Sequence, residues 1–236
     1  MKQPTRECGL IIDIPGDIDT TLPAFERISI LLRENIINGN LRAGQPLAEI
    51  ELAALCRASR NTLREALRFL HGEGLVNYHQ NRGVFVREMD KRDVRDIYKA
   101  RRHLEVLAIT STTVVSDFHL HRMLQHITLA EQAAQQEKWR EVGTQSLRFH
   151  QAIVQMLVCR RFNDFFSVLL AQLRLLFASG ADERAFQQPW IARDRAVWQL
   201  LADQRQSHAC SALQEYLDFS EQQLMQRFNN VSTEME

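Results

Sequence analysis

Arg60, Arg64 and Arg68 follow one another at four-residue spacing, and no other side chains in this chain are better arranged to do chemistry. On a helix that spacing puts all three on one face, and Arg57 joins the same side if the helical turn reaches back so far. Guanidinium groups in a row bond phosphate oxygens, and any one of them can form a bidentate pair with a guanine edge. Asn61 and Thr62 sit at the N-terminal end of the stretch, where backbone amides face phosphate. Leu63, Ala66, Leu67 and Leu70 fall opposite, ready to bury against a small core. Further on, His79-Gln-Asn-Arg82-Gly83 reads as the tip of a hairpin, with glycine permitting the turn. A basic helix followed by a basic wing is how a compact unit holds duplex DNA. The expected DNA-facing residues are Arg57, Arg60, Asn61, Thr62, Arg64, Arg68, His79, Arg82 and Gly83.

Several elements must position these groups. Pro23 opens a first helix whose apolar positions Phe25, Ile28, Leu31, Leu32, Ile36 and Ile37 keep helical spacing, and Gly39 or Asn40 ends it. A turn over residues 42–46 leads to a second helix at about 50–56. Ser59 caps the arginine helix, which ends near Gly72 or Gly74. Strands follow at 75–78 and 84–87. Past Asp90 the periodicity is helical throughout, with helices expected at about 93–115, 117–136, 138–158, 161–179, 188–203 and 206–228. Phe149, Phe165, Phe166, Phe177 and Trp198 read mostly as core. The fold class is mainly α: an N-terminal winged helix-turn-helix plus a C-terminal all-helical bundle. The expected boundaries are an arm at 1–21, the winged unit at 22–88, the bundle at 92–229 and a flexible tail at 230–236. Leu10–Ile14 is a short apolar stretch in the arm, suited to packing on a partner subunit.

Composition narrows the classes. The 236 residues carry 29 basic and 29 acidic side chains, so the chain is not coated in nucleic acid or anionic lipid. Placement matters more than the total: four arginines and only one acid, Glu65, lie between Arg57 and Arg68. The cysteines at 8, 56, 159 and 210 form no CxxC pair, which excludes zinc-finger and disulfide-scaffold spacing and leaves small core residues. No run of apolar residues spans a membrane and no basic-then-apolar signal opens the chain, so the expectation is a cytoplasmic protein. Glycine-rich phosphate loops, HExxH and nucleophile elbows are missing from the sequence, and an enzyme is not expected.

The stretch Leu52-Ala-Ala-Leu-Cys-Arg-Ala-Ser-Arg-Asn-Thr-Leu-Arg-Glu-Ala-Leu67, with Leu70, Gly74-Leu75-Val76 and Asn81-Arg-Gly-Val-Phe-Val86, resembles the DNA-binding signature of the GntR family of bacterial transcription regulators. Thr62 stands where that family usually has proline. The resemblance implies groove and phosphate contacts by Arg60, Thr62 and Arg64, and entry of Arg82-Gly83 into the minor groove. Arg101-Arg-His-Leu-Glu105 and Phe149-His150 resemble the FCD effector domain of the FadR-like subfamily. That implies a homodimer on double-stranded DNA, at an operator with approximate two-fold symmetry, responding to a small effector that is often a carboxylate. Many FCD domains hold a divalent metal with one aspartate and three histidines. Here the matching positions are Ser146, His150, Asp194 and Tyr216, and His208 replaces the last if the match slips. The expectation is a degenerate site with no cofactor, His150 and Asp194 being the weak metal candidates. Arg101, Arg148 and Arg174 are candidates to pair with an anionic effector, although Arg101 and Glu105 also suit an i,i+4 pair. The expected effector residues are Arg101, Glu105, Ser146, His150, Arg174, Asp194 and Tyr216. A DNA-bound adaptor with a ligand-free helical domain is the alternative reading.

Overall fold

Ile28, Leu31, Leu32, Ile36 and Ile37 are buried along one side of helix α1 (Ala24–Ile37), as their spacing requires. The computed structural model describes Leu10, Ile12, Asp13, residues 21–177 and residues 183–233. It divides into two compact units. The first runs to Arg87, and the second comprises Ile37–Gly39 and the chain from Glu88 onward.

In the first unit a short strand β1 (Pro46–Leu47) precedes α2 (Glu49–Leu55) and α3 (Arg60–Gly72). Strands β2 (Val76–His79) and β3 (Gly83–Val86) then pair antiparallel with Val76 opposite Val86 and His79 opposite Gly83. The sheet order is β1-β3-β2. β1 had been expected as part of a turn; it carries Pro46, which lacks an N–H and is tolerated because β1 is an edge strand. Leu63, Ala66, Leu67 and Leu70 of α3 are fully buried with Leu32, Leu52 and Val76 in the unit's core. Both ends of α3 are closed. Ser59 Oγ accepts from Thr62 N–H at 3.1 Å. At the other end Leu75 N–H donates to Leu70 O and Gly74 N–H to His71 O, with Gly74 at φ +68°.

Six helices make up the described part of the second unit: α4 (Lys91–Thr110), α5 (Asp117–Gln135), α6 (Trp139–Gln155), α7 (Arg160–Phe177), α8 (Glu183–Ala202) and α9 (Gln206–Thr233). α4 lies along α9 and α5 along α6, while α6 also touches α4, α7 and α8 and so runs through the middle of the bundle. α4 opens on a capping box between Asp90 and Asp93. Three boundaries differ from expectation. α4 stops at Thr110 with Ser111 as its C-cap, short of the expected 115. α8 starts well before Pro189, which sits inside it. α9 continues to Thr233, through part of the expected tail.

Two side-chain expectations are corrected. Phe165 is half exposed, because the inward face of α7 is drawn by Phe166, Leu169, Leu170 and Leu173. Cys56, Cys159 and Cys210 are free but only half-buried rather than core. Of the expected arm, Cys8, Ile11 and Ile14 lie outside the described residues. Leu10 is buried within its own chain, and Asp13 exchanges hydrogen bonds with Asn35, its N–H donating to Oδ1 and its carbonyl accepting from Nδ2. No helix among the described residues is long and apolar enough to cross a membrane.

Candidate DNA-binding face and buried effector site

The arginines of α3 stand where their spacing puts them. Arg60, Arg64 and Arg68 are exposed on the side opposite the buried leucines, with Asn61 exposed and Thr62 half-buried at the helix start. Arg57 is not on this helix. It takes a left-handed conformation (φ +49°) in the turn that closes α2, where its N–H donates to Ala54 O and the N–H of Ala58 to Ala53 O. Its side chain is exposed, one turn short of the arginine row.

Arg64 Nε meets Glu49 Oε2 at 2.7 Å. The arginine side chain keeps 54% of its exposure, so water screens this pair and it contributes about 1 kcal/mol at most. A phosphate can therefore displace Glu49 without unfolding anything. The wing brings Arg82 alongside: its guanidinium lies 5.5 Å from the centre of the Phe85 ring, whose other neighbour is His79 at 5.0 Å. Asn81 (φ +60°) and Gly83 (φ +92°) bend the tip. Among the described residues, no atom apart from the glycine and its two chain neighbours lies within 4 Å of where a Gly83 side chain would begin, so the tip is open to an approaching ligand. Arg60, Arg64, Arg82 and Gly83 line one cleft of about 570 Å³ together with Pro46, Glu49, Ile50 and Leu10. Helix and wing thus present their cations to the same concavity.

The second site is closed off inside the helical unit. Arg101 and Glu105 of α4 pair as i,i+4 neighbours at 2.8 Å, both essentially without solvent exposure. Glu105 Oε2 accepts a hydrogen bond from His150 Nδ1 of α6 at 2.5 Å. That bond directs His150 Nε2 at Asp194 Oδ1 of α8, 3.7 Å away. Ser146 Oγ lies 3.2 Å from the Tyr216 hydroxyl of α9, and both hydroxyls bond the Asp194 carboxyl. The Tyr216 ring stacks edge-on against His150 at 4.8 Å. Six of the seven expected effector residues, carried on four helices, are therefore joined in one buried network.

Burial sets the charges. Desolvation raises the Asp194 carboxyl to about 8, outweighing the Ser146 and Tyr216 hydrogen bonds. His150 is held below its ordinary value by the same loss of water, against the pull of Glu105. Glu105 is lowered in spite of burial, because Arg101 and His150 face it. At neutral pH the cluster then holds one cation, one anion, a neutral imidazole and a protonated carboxyl. Among the described residues, three of its fully buried polar atoms have no hydrogen-bond partner: Arg101 Nη2, His150 Nε2 and Asp194 Oδ1. Such atoms cost roughly 1–3 kcal/mol each when left unsatisfied.

The donor set does not suit a divalent metal. His150 Nε2 and Asp194 are the two usable ligands, the other matching positions are hydroxyls bonded to each other, and the Arg101 cation stands beside them. Among the described residues no group of three or more histidine, cysteine or acidic side chains is placed to hold a metal ion. His208 is exposed and does not stand in.

Arg174 is buried but lies on α7, apart from this network. Its Nη2 donates to Arg140 O at 3.2 Å and lies 3.9 Å from Glu183 Oε1. Its guanidinium packs on Gly143 together with the Gln187 amide. Gln187, fully buried, escaped sequence reasoning, since a lone glutamine in a helical run carries no signal. Arg148 bonds Gln151 at 2.8 Å.

Residues 25–86 match the model of the bacterial regulatory proteins of the gntR family, and residues 96–219 match the FCD domain. The HTH-type transcriptional regulator YdhC of Bacillus subtilis is 33% identical over 92 residues, covering 39% of this chain and 41% of its own length. BphR of Paraburkholderia xenovorans, also an HTH-type transcriptional regulator, is 29% identical over 152 residues, covering 60% and 61%. The chain thus spans less than two thirds of these curated relatives. A solved GntR transcriptional regulator from Rhodococcus sp. RHA1 matches more fully: 31% identity, TM-score 0.78, 85% of this chain and 97% of that one. The arginine helix with its wing and the histidine-centred helical site lie in the two matched segments, so this chain belongs to the GntR family of bacterial regulatory proteins and carries an FCD domain.

Proposed function

We propose that the protein is a sequence-specific DNA-binding transcriptional regulator, acting in the cytoplasm as a homodimer on an operator of approximate two-fold symmetry. Arg60, Asn61, Thr62 and Arg64 enter the major groove, with Arg57 and Arg68 reaching flanking phosphates. His79, Arg82 and Gly83 meet the neighbouring minor groove. One observation carries the reading: α3 and the wing turn Arg60, Arg64 and Arg82 into a single open cleft. The test is selection of a randomised duplex pool by the full-length protein. Wild type enriches one inverted repeat and an Arg64→Ala variant does not; a pool that stays random after repeated rounds overturns the proposal.

The effector is a small carboxylate bound at Arg101, Glu105, Ser146, His150, Asp194 and Tyr216, without metal. Arg101 Nη2 supplies a charged donor for the carboxylate, and protonated Asp194 supplies a neutral one. An adaptor whose helical domain had lost its ligand would gain by pairing or removing these buried atoms, and three remain unsatisfied. That favours a sensor. A thermal-shift screen of small carboxylates checks it. Stabilisation of wild type but not of Arg101→Met is expected, and a flat response across the screen refutes the carboxylate assignment.

A further inference from the structure

The carboxylate site described above occupies one end of a longer seam between α6 and α8. His150 faces Asp194, and Gly143 faces Gln187. The same offset at both contacts means that the two helices run side by side in the same direction. Seven residues separate the contacts on each helix, which is about 10 Å along the axis. Trp190, buried and stacked on Tyr216 at 5.0 Å, lies between them on α8. The seam is thus polar at each end, and the Trp190 ring, placed between the two poles along α8, packs on Tyr216 and Phe219 of α9.

The far end is built with care. Gln187 is 1% exposed, yet among the described residues neither its amide nitrogen nor its amide oxygen has a hydrogen-bond partner. A buried primary amide with all of its bonds unmade is rare in a folded protein, and such groups call for an explanation. Gly143 makes room for it: a Cβ there would stand 2.6 Å from Arg174 Nη1 and 2.7 Å from Gln187 Nε2. The missing side chain brings the amide and the guanidinium together against bare helix. A cation beside an amide donor is the chemistry of carboxylate recognition. Glu183, 3.9 Å from Arg174 Nη2, and the Arg140 carbonyl hold the opposite side of the guanidinium.

We infer that Gln187, with Arg174, forms a second polar pole of the effector site, and that the effector is an elongated dicarboxylate bridging this pole and the Arg101–His150–Asp194 pole. The inference rests on the carboxylate reading of the function given above. Gln187 is the residue that distinguishes a diacid from a monoacid: its amide N–H reaches the second carboxylate, and Trp190 lies against the intervening methylenes.

The experiment titrates the full-length protein, by thermal shift and calorimetry, with matched pairs: butyrate and succinate, hexanoate and adipate, heptanoate and pimelate, octanoate and suberate. The expected result is at least tenfold tighter binding of the longer diacids than of their monoacid partners, with no such gain for succinate. Gln187→Leu removes the gain of the longer diacids over their monoacid partners. Gln187→Glu, which keeps size and polarity but repels a carboxylate, reverses the preference. If monoacids bind and diacids bind no better, or if both variants keep the preference, the second pole is wrong while the first stands. If neither series binds wild type, the carboxylate reading falls with it. Should Gln187→Leu fail to fold, the wild-type comparison and Gln187→Glu still decide.

Discussion

Arg64 carries the most weight among the single residues. Its ion-pair partner among the described residues, Glu49, is partly exposed, and the leucines behind it are sealed in the core. Arg64→Ala should therefore leave the unfolding temperature within experimental error and weaken operator binding about tenfold or more, as expected for a guanidinium on a base edge or phosphate. Full-strength binding in fluorescence anisotropy would remove it from the interface. Asp194 gives a pH prediction. Its carboxyl is raised from 3.8 to about 8 in the folded protein, so the native state holds a proton that the unfolded chain has released across that interval. The associated stability is complete below 3.8 and is lost as pH rises through about 8. His150, lowered in the fold, has the opposite sign and acts on the acid side of its ordinary 6.5. Wild type should thus lose more thermal stability than Asp194→Asn as pH is raised from neutrality past 8. Parallel curves would show that Asp194 does not titrate there.

At the scale of elements, α3 and α6 do different work. α3 presents one face to solvent and one to the core, and Ser59 fixes where it begins; Ser59→Ala should cost about 1 kcal/mol in chemical denaturation. That loss also loosens the helix end bearing Arg60 and Thr62. α6 is mostly buried, since it lies among four other helices. Gly143 on it is a packing requirement: an added methyl would collide with the Arg174 and Gln187 side chains. Gly143→Ala should destabilise by about 1–3 kcal/mol despite the better helix propensity of alanine. A stabilised variant would mean that the Arg174–Gln187 pair moves aside freely.

For the whole molecule the property to test is the proposed assembly on DNA as a dimer. A two-fold operator requires two chains, each placing one α3 in successive major grooves about 34–36 Å apart. Light scattering should give a dimer, and titration should saturate at two chains per inverted repeat; one chain bound to a half-site with undiminished affinity would contradict this. Binding should also weaken steeply with salt, the logarithmic slope growing by about 0.9 for each phosphate neutralised. The near-zero net charge does not oppose this, since a duplex senses the local cleft rather than the total.

The two sites were legible to different degrees. Periodicity was enough for α3: a four-residue arginine spacing against a leucine face has one amphipathic solution, and Ser59 marks its start. The glycine at the wing tip was readable for the same reason, because local backbone preference is encoded locally. Arg57 was readable as a residue but not in its place, since the left-handed turn after α2 depends on how that helix closes. In the helical domain the sequence pointed to His150 and its companions only through family resemblance. Their bonding was decided by tertiary packing, which brings α4, α6, α8 and α9 together across separations of up to 122 residues. Burial then made Asp194 neutral, left three polar atoms unsatisfied and set Gln187 against Gly143. Loss of water is a property of the assembled fold, and no spacing of residues along a chain encodes it by itself.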